Sequence, residues 1–259
     1  MSILFNIETS YYNNVSMKII KLSAINSTNS FLKDMVVNST VEDFTVIVAE
    51  KQTSGRGQMN TKWVSEDGKN LIVSVFVSFS DLQVTNQKYL NYAISLSVFE
   101  AVNSYDLPKL SVKWPNDILS ETDKIAGVLI ENSLQRSKIK STIIGIGLNV
   151  NQDVFPSELI NASSLKKKIN KEFNLDEVLT AVLDKLQLNI SLLRNEEFEV
   201  LEEKYLSVLY KKNTPSMFKT DQNVFFMGKI LGVSPEGKLQ IELSDETIQE
   251  FGLKEVSFA

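Results

Sequence analysis

Three strand-forming runs, residues 110–114, 124–132 and 138–150, follow one another along the chain. Their connections are too short for the crossover helix that parallel neighbours need, so they are expected to pair as a largely antiparallel meander. A further run over residues 71–79 alternates, with Leu71, Val73, Val75, Val77 and Phe79 against Ile72, Ser74, Phe76 and Ser78. That period of two describes a strand with one richly apolar face, which has to be covered. Helical spacing supplies the cover. Leu90, Ile94, Val98, Ala101 and Val102 recur through residues 87–105, and Leu179, Val182, Leu183, Leu186, Ile190 and Leu193 form a stripe behind an Asn174 to Glu177 capping box. Phe198, Leu201 and Tyr205 mark one more helix, and Ser27 is placed to cap a short one carrying Phe31, Leu32 and Met35. The expected fold is α+β, a mixed and largely antiparallel central sheet flanked by helices.

Beyond residue 223 the pattern changes to short strand runs at 224–231, 238–243, 247–251 and 255–258, separated by turns such as Pro235-Glu236-Gly237. The expected division is a lead-in over 1–17, a main domain over 18–212 and a small β domain over 213–259. With 259 residues the chain has length enough for one large core and such an appendage.

Composition narrows the chemistry. There is no Cys and no His, which removes disulfides, thiol nucleophiles, the commonest general base and the commonest metal ligands; no metal site is expected. A net charge of -5 disfavours broad binding to nucleic acid, and the Lys166-Lys167-Lys168 run reads as a solvated helix or loop face. No apolar run is long enough to span a bilayer, and the first residues lack the basic and apolar regions of a signal peptide. A cytoplasmic protein is expected.

Three polar segments could carry chemistry. The loop after the 45–49 strand places Arg56 between Gly55 and Gly57, so the backbone can approach a ligand while the guanidinium offers a fork to carboxylate or phosphate. The plain alternative is an exposed turn with a solvated arginine. Lys113-Trp114-Pro115-Asn116-Asp117, followed seven residues after Asp117 by Lys124, sets a carboxylate and an ammonium at the ends of a short connection. That is a reaction centre for negative charge or an ordinary surface pair. Gly145-Ile146-Gly147-Leu148-Asn149 is a strand with one bare face, suited to a flat ligand or to a close strand crossing.

In this order and spacing, with Ser27-Thr28-Asn29 ahead of them and Lys62-Trp63 and Lys124-Ile125-Ala126-Gly127 between, the segments closely resemble the catalytic domain of biotin protein ligases. The resemblance covers residues 18–151; the C-terminal strands resemble the family's small SH3-like β-barrel more loosely. It implies a class II synthetase-like sheet and two half-reactions: biotin and ATP with Mg2+ give biotinyl-5'-AMP, and a lysine of a biotin carboxyl carrier protein then displaces AMP. Carried over by residue, Ser27, Thr28 and Gln52 bond the ureido ring, with Asn29 beside them. Gly127, Gly145 and Gly147 meet the ligand's apolar part, and Asn149 reads the adenine edge. Gly55 and Gly57 flank Arg56, which works with Lys124 on developing charge at the phosphate. Asp117 orients Lys124 or takes the acceptor lysine's proton. Trp63 and Trp114 are expected to pack.

Two departures stand out. Gln58 occupies the place of a second loop arginine, and only 17 residues precede the resemblance where some relatives carry a DNA-binding domain, so a monofunctional ligase without DNA binding is expected. Family members often dimerise, which makes a homodimer a further expectation. The alternatives are a lipoate or octanoate ligase or transferase of related fold and a non-catalytic sensor of biotin or nucleotide.

Overall fold

The structure is a computed structural model describing residues 5–12 and 15–259, with side chains from Met17 onward except that of Asn60. Its large sheet contains β1 (Phe5–Tyr12), β2 (Val15–Ile25), β3 (Val46–Gln52), β4 (Leu71–Gln83), β5 (Leu110–Lys113), β6 (Asp117–Ser120), β7 (Asp123–Gln135) and β8 (Lys138–Leu148). The spatial order is β1-β2-β3-β4-β8-β7-β6-β5. β2 and β3 are parallel, joined by the crossover helix α1 (Thr28–Asn38), and every other neighbour pair is antiparallel. The lead-in expected over residues 1–17 contains β1, which pairs with β2 from Phe5↔Leu22 to Tyr12↔Val15.

Strand alternation decides which residues meet which layer. On β4, Leu71, Val73, Val75 and Val77 join the main core with α2 (Gln87–Asn103) and α4 (Leu175–Arg194). Ile144, Ile146 and Leu148 of β8 and Ala126 and Val128 of β7 face the same way. The alternate residues face α1. There a smaller core, built on Leu22, Leu32, Ile47, Phe76 and Ile143, covers only part of the sheet. The rest of that face is the floor of a cleft. α1 starts where expected, with the Ser27 hydroxyl accepting from the Ser30 amide, and Asn174 caps α4 by accepting from the Asp176 and Glu177 amides.

The C-terminal strands β9 (Pro215–Thr220), β10 (Phe225–Val233), β11 (Leu239–Leu243), β12 (Ile248–Phe251) and β13 (Val256–Phe258) form a second, antiparallel sheet in the order β12-β11-β10-β9-β13. Phe218 stacks on Phe226 and tilts against Phe258, and Phe226 stacks on Phe251, giving the small domain an aromatic core. Phe218, Ile230 and Ile241 belong to the same contiguous core as the helical layer, so the small sheet is packed on the body. Trp114 Nε1 also donates to Gly237 O of the small sheet at 3.2 Å.

Two strands depart from the sequence reading. β6 lies where a connection was expected, because buried Ile118 and Leu119 pair between β5 and β7. β9 begins at Pro215, ahead of the strand runs expected from residue 224 on; the first residue of a strand tolerates a missing N–H. The Lys166-Lys167-Lys168 run lies on α3 (Leu165–Ile169), but it is not simply solvated. Lys168 keeps only 9% of its side chain exposed and bonds Glu121 and Asp123 of the β6–β7 turn at 2.8 and 2.9 Å. Burial pulls its ammonium toward neutrality, yet the two carboxylates outweigh that and hold its pKa above the usual lysine value.

Candidate active-site cleft

Cross-strand register builds the cleft floor. Ile72, Gly147, Gly127, Asp117 and Lys113 are successive partners across β4, β8, β7, β6 and β5, and Ser74, Gly145 and Leu129 form the next parallel row. Partners in register share a face, so Asp117, Gly127, Gly145 and Gly147 line one cavity of about 250 Å³, and Ser74 lies on the same face, bonded to Thr28 and Asn29.

Lys124 reaches this face through a bulge. Ile118 pairs with Ala126 but Leu119 pairs with Lys124, which leaves Ile125 as the extra residue on β7. The shift reverses parity, placing Lys124 on the side of Leu119 and Asp117. Asn149 N donates to Ile125 O at 2.8 Å, and Lys124 exchanges backbone bonds with residues 161 and 163, so the bulge is held from the β8 side as well. The Lys124 side chain then passes over Gly127, where a Cβ would lie 3.0 Å from its Cε and Nζ, and its Nζ ends 2.6 Å from Asp117 Oδ1. Gly127 gives that chain its path.

The other wall comes from α1 and the loop after β3. Gln52 Oε1 accepts from the Thr28 amide at 2.8 Å and its hydroxyl at 3.1 Å, which leaves the Gln52 amide nitrogen to donate elsewhere. Buried Ser74 Oγ lies 2.7 Å from Thr28 Oγ1 and 2.5 Å from Asn29 Oδ1. Asn29 Nδ2 donates to Glu131 Oε2 at 2.8 Å, and the same oxygen takes Arg56 Nη2 at 2.6 Å. A continuous polar chain therefore runs from Gln52 to Arg56.

Each glycine of the floor is bare for a neighbour. A Cβ on Gly145 would collide with the Asn29 amide, and one on Gly147 would collide with the Trp63 indole, which also borders Gly127. Trp63 N donates to Gly55 O at 3.0 Å, so the close crossing at Gly55 positions the indole. Trp63 Nε1 and Asn149 Oδ1 are buried without a partner among the described residues.

The structure brings Ser27, Thr28, Asn29, Gln52, Arg56, Gly57, Asp117, Lys124, Gly127, Gly145 and Gly147 to one cavity wall. Gly55 and Asn149 stand outside it: Gly55 at the loop crossing, Asn149 with its Nδ2 on Ser163 O at 3.0 Å. Sequence reasoning missed Ser74, Glu131 and Lys254. The first two share the parity of Gly145 and Gly127 respectively, a usable signal; Lys254 arrives from the small sheet and has none. Among the described residues no three His, Cys, Asp or Glu side chains are grouped to hold a metal.

The described residues include no helix long and apolar enough to cross a membrane. Residues 22–149 match the family model of the biotin/lipoate A/B protein ligase family. The bifunctional ligase/repressor BirA of Bacillus spizizenii is 30% identical over 224 residues, covering 85% of this chain and 68% of that protein. The biotin--[acetyl-CoA-carboxylase] ligase of Mycobacterium tuberculosis is 33% identical over 129 residues, 49% of this chain and 47% of the relative. Among solved structures, the biotin protein ligase from Aquifex aeolicus in complex with biotin and ATP superposes with a TM-score of 0.75 at 30% identity, covering 93% of this chain and 98% of that one. The chain belongs to the biotin/lipoate A/B protein ligase family. Within it, the Aquifex aeolicus protein matched over 98% of its length is a biotin protein ligase.

Proposed function

We propose that this chain is a biotin protein ligase that activates biotin with ATP and transfers it to a lysine of a biotin carboxyl carrier domain. The observation that carries the reading is the convergence of Arg56 and Lys124, from a loop and a bulged strand, on one cavity floored by Gly127, Gly145 and Gly147. The chemistry suits a site without His or Cys, because the substrate carboxylate is itself the first nucleophile.

In the first half-reaction a biotin carboxylate oxygen bonds the α-phosphorus of ATP, the bond to the bridging oxygen breaks, and pyrophosphate leaves. The enzyme's work is alignment and charge neutralisation. In our reading Arg56 exchanges Glu131 for the reacting anion, and Lys124, held by Asp117, faces the carboxylate–phosphate junction. Ser27, Thr28, Asn29 and Gln52 supply donors and acceptors for the ureido ring; the Gln52 amide nitrogen, which meets no acceptor among the described residues, supports that role. Asn149, with its buried Oδ1 open, is assigned to the adenine edge. Magnesium enters with the nucleotide as part of the substrate.

In the second half-reaction the acceptor amine attacks the acyl carbon of the mixed anhydride and AMP leaves. Asp117 receives the amine's proton or keeps Lys124 oriented while it is lost. The proposed division is a catalytic unit over 18–212 and a β unit over 213–259. The reading also places the enzyme in the cytoplasm, as a homodimer.

The test is pyrophosphate release with biotin and with lipoate side by side, followed by labelling of a carrier domain. Release with biotin and modification of one carrier lysine are expected. Release with lipoate alone overturns the assignment in favour of the family's other branch.

A further inference from the structure

Four cations border the cleft: Arg56, Lys62, Lys124 and Lys254. Two are neutralised within the protein, Arg56 by Glu131 and Lys124 by Asp117, each at 2.6 Å. Lys254 is different in origin and in pairing. It lies in the turn between β12 and β13 of the small sheet, and its Nζ donates to Met59 O of the arginine-bearing loop at 3.2 Å. Among the described residues no carboxylate pairs with it. The adjacent Glu255 is engaged in its own turn, where its Oε2 accepts from Gly252 N at 2.6 Å.

The turn is seated rather than loose. Glu255 N donates to Gly252 O and Glu255 O accepts from Asp221 N, tying it to the β9–β10 connection. Leu253 and Val256 line a second, apolar cavity of about 340 Å³ shared with Met59, Trp114 and Phe218. Lys254 borders both cavities, a place that suits a side chain with an apolar stem and a charged head.

We infer that Lys254 is a polyphosphate-binding residue, through which the small β domain supplies the cleft with a positive charge for the nucleotide's pyrophosphate-bearing end. The inference deepens the ligase reading and rests on it for the identity of the nucleotide. A single neutral carbonyl leaves two of the ammonium's three protons free, and an anion arriving beside Arg56 meets Lys254 without displacing a carboxylate. Arg56 must exchange Glu131 first and Lys124 shares its charge with Asp117, whereas Lys254 is ready. The same bond to Met59 O couples nucleotide capture to the position of the loop that carries Arg56.

The test compares Lys254→Ala and Lys254→Arg with the unaltered full chain. In biotin-dependent pyrophosphate exchange, Lys254→Ala is expected to raise the KM for ATP about 10-fold, the scale of one charge-assisted hydrogen bond. The KM for biotin should move less than about 2-fold, and Lys254→Arg should restore most of the loss. Transfer to the carrier from preformed biotinyl-5'-AMP, which lacks the pyrophosphate, should be affected far less than exchange. Equal slowing of both half-reactions, or an unchanged KM for ATP, overturns the inference, since either means that Lys254 only props the loop. Calorimetry with inorganic pyrophosphate separates this inference from the ligase reading. If biotin supports no exchange, weaker pyrophosphate binding by Lys254→Ala still upholds the anion site, and equal binding by both proteins removes it.

Discussion

Arg56 Nη2 sits 2.6 Å from Glu131 Oε2, so the guanidinium assigned to the reacting anion already holds a carboxylate of its own protein. The pair is half-exposed, and its net strength is about 0.2–1 kcal/mol by comparison with measured surface pairs. It can therefore order the loop without locking it. Glu131→Gln keeps an acceptor for Asn29 and removes the competing charge. A non-hydrolysable analogue of biotinyl-5'-AMP is expected to bind about 2- to 5-fold tighter, in keeping with that pair strength. Titration calorimetry gives the answer, and weaker binding would mean that Glu131 supports the occupied loop.

Lys124→Ala should separate binding from chemistry. Charge at the carboxylate–phosphate junction grows along the first half-reaction, so its loss is expected to lower kcat for adenylate formation about 100-fold or more while biotin affinity falls only a few-fold. Single-turnover kinetics beside equilibrium biotin binding measure the two. Equal losses would reduce Lys124 to a binding group.

Gly147→Ala tests the packing of the floor. A Cβ there meets the Trp63 indole, so the ring has to leave or the strand has to move, at a cost of about 1–3 kcal/mol for overpacking. The variant should unfold at lower urea, show a red shift in tryptophan emission and bind biotin more weakly. An unchanged spectrum together with unchanged stability would show that the ring moves aside freely.

Tyr205 gives a pH prediction. Its hydroxyl donates to Pro115 O at 2.9 Å beside Asp117, and burial, with smaller contributions from Tyr92 and Asp117, raises its pKa well above the ordinary 10.0. A raised folded pKa means that stability is whole below the unfolded value and falls as pH climbs through and beyond it. Urea midpoints should hold steady up to about pH 9 and drop above about pH 10. Tyr205→Phe should lose about 1–2 kcal/mol at neutral pH by leaving Pro115 O unpaired, yet show a shallower alkaline decline.

Most of the large sheet could be read from the chain because its signal is periodic. The alternation from Leu71 to Phe79 named the face that meets the helices, and the helical stripe behind Asn174 named its cover. β6 escaped notice because four residues flanked by turns look like a connection until their partners on both sides are known. The same limit applies to the cleft. Gly145, Gly147 and Lys124 drew attention by local pattern, whereas Glu131 and Ser74 matter through side chains brought across strands and from α1. Lys254 stands 195 residues from its partner Met59, a separation that no local pattern spans.

The bulge at Ile125 sets different tolerances for two kinds of change in the β6–β7 hairpin. Exchanging one side chain for another alters one contact, but inserting one residue between Ile118 and Leu119 gives Ile125 a partner, removes the parity shift and sends Lys124 to the helical side of the sheet. Length in this hairpin is therefore under stricter constraint than composition. A library that varies its residues at fixed length should retain folded members with graded activity, while one that varies its length should divide sharply into active and inactive chains.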